Sequence, residues 1–350
     1  MKREPYFGLF ALFLLAMISC SRPPYNIFNG EFRHVSYTDK VELLTGELVP
    51  IDTIWIWETH IIDSLFFIND YTSERAFYSI YSLNSLTLLY DHLILCGRGP
   101  NEYNEASFFH AYTDKNGIKA WFSVNDRRKL ICVDITASIL QQRLVAEREV
   151  ELNVEDRFAV ISVLFDTDTS FILRSLYNND LISVYNPLSG KTRPMGWLYS
   201  QEYDSRNISD LGCGYVYNAS KSILAGGMGF FDQINFYPLK DGKPFSISIS
   251  PQAIRYDDVK RMQMDNRPRY YGYTCYTEDI IIMTYAAGKD RYEERSPEQN
   301  YLHIVNWDGD LLKIFKLDCY LVFPSYDKRT GYLYGFDIET DRMLRYKINL

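Results

Sequence analysis

The stretch Asn116-Gly117-Ile118-Lys119-Ala120-Trp121-Phe122 decides the fold, because the chain repeats its pattern of a polar turn followed by an apolar strand. The opening turns lie at Asp63, Asn116, Asp168, Lys221, Glu278 and Thr330. Successive copies begin 53, 52, 53, 57 and 52 residues apart. A fixed period of this length indicates that each copy is one supersecondary unit of a repeat architecture. The sequence therefore predicts six equivalent units.

The composition favours strands over helices. The chain has 29 Tyr and 21 Phe among its 350 residues, and aromatic side chains suit pleated, half-buried surfaces. Further strands and turns follow each opening strand, with turn residues expected at Val133-Asp134-Ile135-Thr136 and Asn306-Trp307-Asp308-Gly309. Four strands in a meander make one propeller blade. We predict an all-β, six-bladed β-propeller; the alternative, a pair of β-sandwiches, does not explain six equal periods.

The sixth copy is one strand short, because the sequence ends directly after the strand expected at 343–348. The segment from Val41 to Leu48 precedes the first blade and can supply the missing strand. An N-terminal strand that closes the last blade would remove an exposed sheet edge. The predicted propeller therefore spans residues 41–350.

The first twenty residues have the parts of an export signal. Lys2 and Arg3 precede an apolar run of 13 residues from Tyr6 to Ile18, which is too short to span a bilayer. The stretch Leu15-Ala16-Met17-Ile18-Ser19-Cys20 resembles the lipobox of bacterial lipoproteins, in which the cysteine is acylated and becomes the first mature residue. The resemblance implies a signal peptide over residues 1–20 with lipid attachment at Cys20. An ordinary secretory signal and an uncleaved anchor are the alternatives.

Residues 21–40 are predicted to form a tether that holds the propeller off the membrane, since Ser21-Arg22-Pro23-Pro24 is short, polar and proline-containing. No acidic run follows Cys20 of the kind that some surface-displayed lipoproteins carry. We therefore expect a periplasm-facing outer-membrane location. Loss of Lys2, Arg3 and Glu4 on maturation would change the formal charge from −8 to −9.

The most specific motif is Gly97-Arg98-Gly99-Pro100-Asn101-Glu102-Tyr103, after the last strand of blade one. It resembles the G-x-G-P-x-E-[FY] signature of the TolB-like six-bladed propeller lipoproteins, and distantly the glycine-rich connections of NHL-repeat propellers. The resemblance implies a cell-envelope propeller and carries no catalytic mechanism. Glu102 either accepts hydrogen bonds within the tight turn or pairs with Arg98. In the functional interpretation, both side chains face the central channel.

Three long, charged and aromatic loops fall on one rim of the predicted propeller, where scaffold loops commonly carry function. They are the segments 199–211, 250–271 and 286–300. Ser250 and Pro251 predict a short helix at the start of the second loop. Together with the motif after blade one, these loops give a candidate ligand rim of Arg98, Glu102, Arg206, Arg267, Arg269, Tyr271 and Arg291.

The sequence has few residue patterns that are typical of catalysis or metal binding. The five histidines are dispersed, and His110 and His303 are interpreted as packing or surface residues. Cys132 lies in an apolar strand and is expected to be a buried thiol. A formal charge of −8 without a basic stripe argues against nucleic-acid binding. We predict no catalytic residues, no cofactor and no metal site.

Three functional hypotheses remain. The first is a cell-envelope binding module for a protein, peptide or glycan, held to the membrane by its lipid anchor. The second is a hydrolase or lyase with a site at the mouth of the central channel, since propellers can host such chemistry on their loops. The third is a structural scaffold, which predicts a channel plugged by side chains.

Overall fold

Six β-sheets, each containing one of the predicted repeats, form the six blades of a propeller. The computed structural model describes residues 28, 30–37, 39–51, 56–70, 75–99, 101–124, 128–154, 158–165, 169–175, 181–198, 214–249, 256–262, 267–286 and 300–350. Three short strands precede the first blade: β1 (Glu31–His34), β2 (Glu42–Leu44) and β3 (Glu47–Leu48).

The blades follow one another along the chain, and each has its first strand innermost. Blade one contains β4 (Ile56–Ile62), β5 (Leu65–Asp70), β6 (Ala76–Ser82), β7 (Leu88–Cys96) and the short β8 (Glu102–Tyr103). Blade two contains β9 (Ala106–Asp114), β10 (Gly117–Val124), β11 (Lys129–Asp134) and β12 (Ala146–Glu151), with helix α1 (Ile135–Gln141) between the last two strands. Blade three contains β13 (Phe158–Phe165), β14 (Thr169–Ser175), β15 (Leu181–Asn186) and β16 (Lys191–Trp197).

The second half repeats the plan. Blade four contains β17 (Val216–Asn218), β18 (Ile223–Gly227), β19 (Ile234–Pro238) and β20 (Phe245–Ser248). Helix α2 (Tyr256–Arg261) precedes blade five, which contains β21 (Tyr271–Tyr276), β22 (Ile280–Tyr285), β23 (Tyr301–Asn306) and β24 (Leu311–Leu317). Blade six contains β25 (Leu321–Asp327), β26 (Tyr332–Asp337) and β27 (Arg342–Lys347), and β3 completes it.

The second strand of each blade is buried on both faces, which explains why these strands read as continuous apolar runs. In β5, Phe66 and Ile68 pack with blade six, whereas Leu65 and Phe67 pack with blade two. Alternation along a strand thus sends neighbouring side chains into two different blade junctions. The described buried side chains form six clusters, one at each junction between adjacent blades.

The N-terminal strands close the ring, as the sequence predicts. β3 pairs antiparallel with β27, with Leu48 opposite Leu344. The hydroxyl of Thr59 in blade one contacts the carbonyl oxygen of Phe323 in blade six at 2.6 Å. The prediction of a six-bladed, all-β propeller closed by an N-terminal strand is confirmed.

The N-terminal segment joins the propeller earlier than predicted. β1 pairs in parallel with the outermost strand of blade four, and β2 does the same on blade five. Phe28 is fully buried in the junction between blades three and four. Residues 28–34 were assigned to the tether, and this part of the chain is instead folded onto the propeller because sheet edges and an apolar pocket are open to it.

Two other local features differ from, or extend, the sequence prediction. A turn was expected at Val133-Asp134-Ile135-Thr136, but α1 begins there, because the Asp134 carboxylate caps the helix by accepting from the Ala137 N–H at 2.8 Å. Helix α2 lies in the loop where a short helix was predicted, although its proposed cap, Ser250, lies outside the described residues. No helix in the described ranges is long and apolar enough to cross a membrane.

Candidate functional site

A cavity of about 810 Å³ lies on the propeller axis, because its lining residues come from, or immediately adjoin, the innermost strands of all six blades. Its volume falls within the range of about 300–1,000 Å³ usual for small-molecule sites. This open cavity favours the other two hypotheses over the scaffold hypothesis, which predicts a channel plugged by side chains.

The inner strands carry a bulge at equivalent positions. The pairing register skips Trp57 in β4, Phe109 in β9 and Ile161 in β13. It also skips the stretches that contain Tyr273 in β21 and Phe323 in β25. Residues 57, 109 and 161 are each 52 apart, so the repeat period extends to the bulges. Bulges re-aim side chains and occur often next to functional sites, and all five residues line the cavity. We call them the collar.

The aromatic half of the collar comes from blades five, six and one. Trp57 is 61% exposed, and its ring centroid lies 6.4 Å from that of Phe323. The Phe323 ring lies 4.4 Å from the ring of Tyr273. Phe323 has a φ of +50°, which is an outlier for a bulky side chain and stores backbone strain. The fold therefore holds these rings at the channel at an energetic cost.

A carboxylate follows the collar in blade one. Glu58 Oε1 accepts from the Phe108 N–H at 3.2 Å and from the hydroxyl of Tyr78. Glu58 Oε2 lies 3.5 Å from His60 Nε2, which is longer than an ordinary hydrogen bond. The His60 ring contacts the Phe108 ring in a tilted arrangement, with centroids 4.0 Å apart. Glu58 and His60 both line the cavity.

His110 faces the same cavity from blade two. Its Nδ1 lies 3.1 Å from the hydroxyl of Ser162, and burial lowers the pKa of His110 to about 4. The position was interpreted as packing or surface. The structure places it on the channel wall with a hydrogen-bond partner from blade three.

The opposite end of the cavity is lined by charged residues at the turns that follow the inner strands. Arg329 lies 3.1 Å from Asp327 and 3.7 Å from Asp63, and Lys328 lies 3.8 Å from Glu278. These charges pair with one another, in contrast to the collar end.

The motif after blade one forms its own turn. Glu102 accepts a hydrogen bond from the Gly99 N–H at 2.7 Å, and a Cβ at Gly97 would collide with the Glu102 side chain. The glycine at 97 thus gives the carboxylate room to fold back, and the turn interpretation of Glu102 is confirmed. Arg98 is exposed, and neither Arg98 nor Glu102 is among the residues that line the cavity.

Two of the predicted rim residues, Arg267 and Arg269, lie over one aromatic ring. The guanidinium carbons of Arg269 and Arg267 lie 4.3 and 5.4 Å from the ring centroid of the buried Phe230. Tyr271 is itself buried, so it contributes to the junction of blades four and five and not to an open rim. Arg206, Arg291 and the lipid-attachment position Cys20 lie outside the described residues.

Tyr271 belongs to a buried polar cluster. Its hydroxyl lies 3.1 Å from His303 Nδ1 and donates to Asp232 at 3.3 Å. Burial lowers the pKa of His303 to about 3. Burial and the nearby Asp232 carboxylate raise the pKa of Tyr270 to about 12. His303 is thus a packing residue, as predicted.

The geometry separates the binding and enzyme hypotheses. The enzyme alternative calls for a histidine within hydrogen-bond reach of two carboxylates at the channel mouth. His60 lies near one, Glu58, at 3.5 Å. Within the described ranges, no group of three or more His, Cys, Asp or Glu residues is placed to hold a metal ion. The mouth is lined by aromatic rings, which favours binding.

The described cysteines are free, and Cys132 is buried as predicted. Burial raises the pKa of the Cys132 thiol to about 11, so this thiol is not suited to act as a nucleophile.

Comparisons with known proteins support the fold. No family model matches the sequence, and no curated protein matches it. Among solved structures, a member of the DUF4221 family from Bacteroides vulgatus is similar, with a TM-score of 0.57 and 13% identity over 89% of this chain and 99% of that one. A Bacteroides fragilis protein described as exported has a TM-score of 0.50 and 12% identity over 90% of this chain and 98% of that one. At these identities, the similarity shows the propeller fold alone.

Sequence reasoning missed the collar, Glu58 and His60. The available signal was the spacing of 52 residues between the large apolar residues 57, 109 and 161. In a regular strand, that spacing indicates only equivalent core positions. The bulges at these positions leave no mark of their own in the sequence.

Proposed function

We propose that this chain is an exported, lipid-anchored binding protein of the bacterial cell envelope, and that its ligand enters the central channel through the collar. The resemblance to TolB-like propeller lipoproteins supports the location, as does the fold shared with an exported Bacteroides fragilis protein. The collar replaces the loop rim as the proposed recognition surface.

The exposure of Trp57 carries the proposal. Tryptophan is among the most buried residues on average, yet Trp57 is 61% exposed on an inner strand of the propeller. It lines an open cavity beside Phe323 and Tyr273. A large aromatic surface at the mouth of a cavity, with a few polar groups inside, is the usual composition of a ligand site.

The direction of the N-terminal strand supports an outward-facing collar. β1 runs from Glu31 beside Phe245 to His34 beside Ser248. Phe245 follows the turn between β19 and β20, so Glu31 lies at the edge opposite the collar. Cys20 precedes Phe28 by eight residues, which span at most about 29 Å when extended. An anchor at Cys20 would hold the propeller by that edge, with the collar turned away from the membrane.

Site-specific photo-crosslinking in cells tests the proposal. With p-benzoyl-phenylalanine in place of Trp57, we expect a covalent adduct whose mass identifies a protein, peptide or glycan. The matched control places the same group at Leu188, which is 71% exposed in a turn of blade three and does not line the cavity. Absence of an adduct at position 57, or equal yields at both positions, would contradict binding through the collar.

A further inference from the structure

The described lining of the channel carries an excess of negative charge. Among the described residues, four carboxylates line the cavity, from Glu58, Asp63, Glu278 and Asp327, against the two cationic side chains of Lys328 and Arg329. With the histidines counted as neutral, these residues have a formal charge of −2. Low-dielectric walls of one sign focus the field and concentrate ligands of the opposite sign.

Of the two excess negative charges, one is Glu58, near the collar, and the other belongs to the far end. At the far end, Asp63 and Asp327 pair with Arg329, and Glu278 pairs with Lys328. Glu58 has a different environment: its hydrogen bonds come from the neutral Tyr78 hydroxyl and Phe108 N–H. Within the described part of the chain, the basic group paired with it is His60, at 3.5 Å, which is charged only if protonated.

Aromatic rings accompany this carboxylate in the cavity. The faces of Trp, Tyr and Phe attract cations, and Trp does so most strongly. Trp57 adjoins Glu58 in sequence and is mostly exposed, and the Tyr273 and Phe323 rings extend the same surface. Aromatic rings and one hydrogen-bonded carboxylate thus line the same cavity, and both kinds of group attract an organic cation.

Resting on the proposed channel function, we infer that the collar binds a guanidinium or ammonium group, with the aromatic rings around it and Glu58 as counter-charge. A neutral glycan would use the ring faces but not the negative charge. An acidic ligand would be repelled by the lining.

Calorimetric titration of the purified protein with matched peptides tests this inference. The probe is Gly-Gly-Arg-Gly-Gly, and its control carries citrulline, which has nearly the shape of arginine without the charge. We expect the arginine peptide to bind at least about tenfold more tightly than the citrulline peptide, a ratio that shrinks as salt is added. N-acetyl-arginine amide distinguishes a small free cation from an arginine side chain of a partner protein. An affinity equal to that of the arginine peptide indicates a small free cation, and a weaker affinity indicates a side chain of a partner protein.

Variants assign the effect to the collar. Glu58→Gln keeps an acceptor oxygen for Phe108 and Tyr78 while it removes the charge, and we expect it to abolish the preference for arginine over citrulline. Trp57→Ala should weaken the arginine peptide about tenfold, in line with a desolvated cation–π contact, whereas Leu188→Ala should not. Thermal unfolding of each variant verifies that it folds.

Two results would overturn the inference. The first is equal affinity for the arginine and citrulline peptides. The second is binding of maltohexaose that depends on Trp57 and not on Glu58, which would leave the channel function intact with a neutral ligand. Failure of the proposed function itself is seen separately, as the absence of a photo-adduct at position 57.

Discussion

Tyr271 and Tyr273 lie two residues apart on β21 and have opposite environments. In a regular strand, such residues face the same side. Tyr271 enters the junction with blade four, where its hydroxyl contacts Asp232 and His303. Tyr273, after the skipped register at 272–273, faces Phe323 of blade six and lines the channel. One bulge thus decides which tyrosine enters the junction with blade four and which lines the channel.

Among the residues of this comparison, the largest effect on stability is expected from His303, which contacts the Tyr271 hydroxyl. Histidine has an ordinary pKa of 6.5, and burial lowers the pKa of His303 to about 3 in the folded chain. Between these values the unfolded chain binds one more proton, so the free energy of unfolding falls as the pH falls below 6.5. The loss at pH 4.5 should be about 2–3 kcal/mol, measured by urea unfolding at pH 7.5 and 4.5.

His303→Gln isolates that contribution. Carboxylates and His110 titrate in both proteins, so the difference between the two pH dependences belongs to His303. We expect a shallower fall in the variant, whatever its stability at pH 7.5. If the free energy of unfolding depends on pH in the same way in both proteins, His303 can be protonated inside the folded junction.

The hydroxyl groups of the two tyrosines provide the next test. Tyr271→Phe removes a buried hydroxyl that contacts Asp232 and His303, which should lower the free energy of unfolding by about 1–2 kcal/mol. Tyr273→Phe keeps the collar ring at a position that is only partly buried, and we expect a smaller loss than for Tyr271→Phe. Chemical denaturation of both variants checks this. Similar losses would mean that Tyr273 is as much a structural residue as Tyr271.

The sequence predicted those features that depend on period and polarity. Six turns followed by apolar runs are sufficient to predict six blades, because each second strand must be buried on both faces, as Phe66 and Phe67 show. The closing strand followed from the need to cover a sheet edge, and β3 supplies it. These predictions hold because the pattern of buried residues repeats with the same period as the blades.

The site was predicted poorly, because it depends on departures from regularity. Charge and aromatic content indicated Arg267, Arg269 and Tyr271, and Tyr271 was buried by contacts across a junction that no local pattern reveals. The collar residues lie at bulges, and a one-residue bulge changes the direction of a side chain without changing the composition of its strand. In this fold, regular positions specify the scaffold and irregular ones specify the channel.

A small effect on stability is also expected at Phe323, which both packs against Tyr273 and lines the channel. Asn tolerates the φ of +50° better than Phe does, so Phe323→Asn relieves about 1–2 kcal/mol of strain while it loses the ring contact with Tyr273. We expect the free energy of unfolding to change by less than about 1 kcal/mol, and the photo-adduct at position 57 to decline. Phe66→Ala, at a fully buried junction position, should cost about 3–5 kcal/mol. A comparable loss for Phe323→Asn would mean that its ring stabilises the fold and is not held at the channel for a ligand.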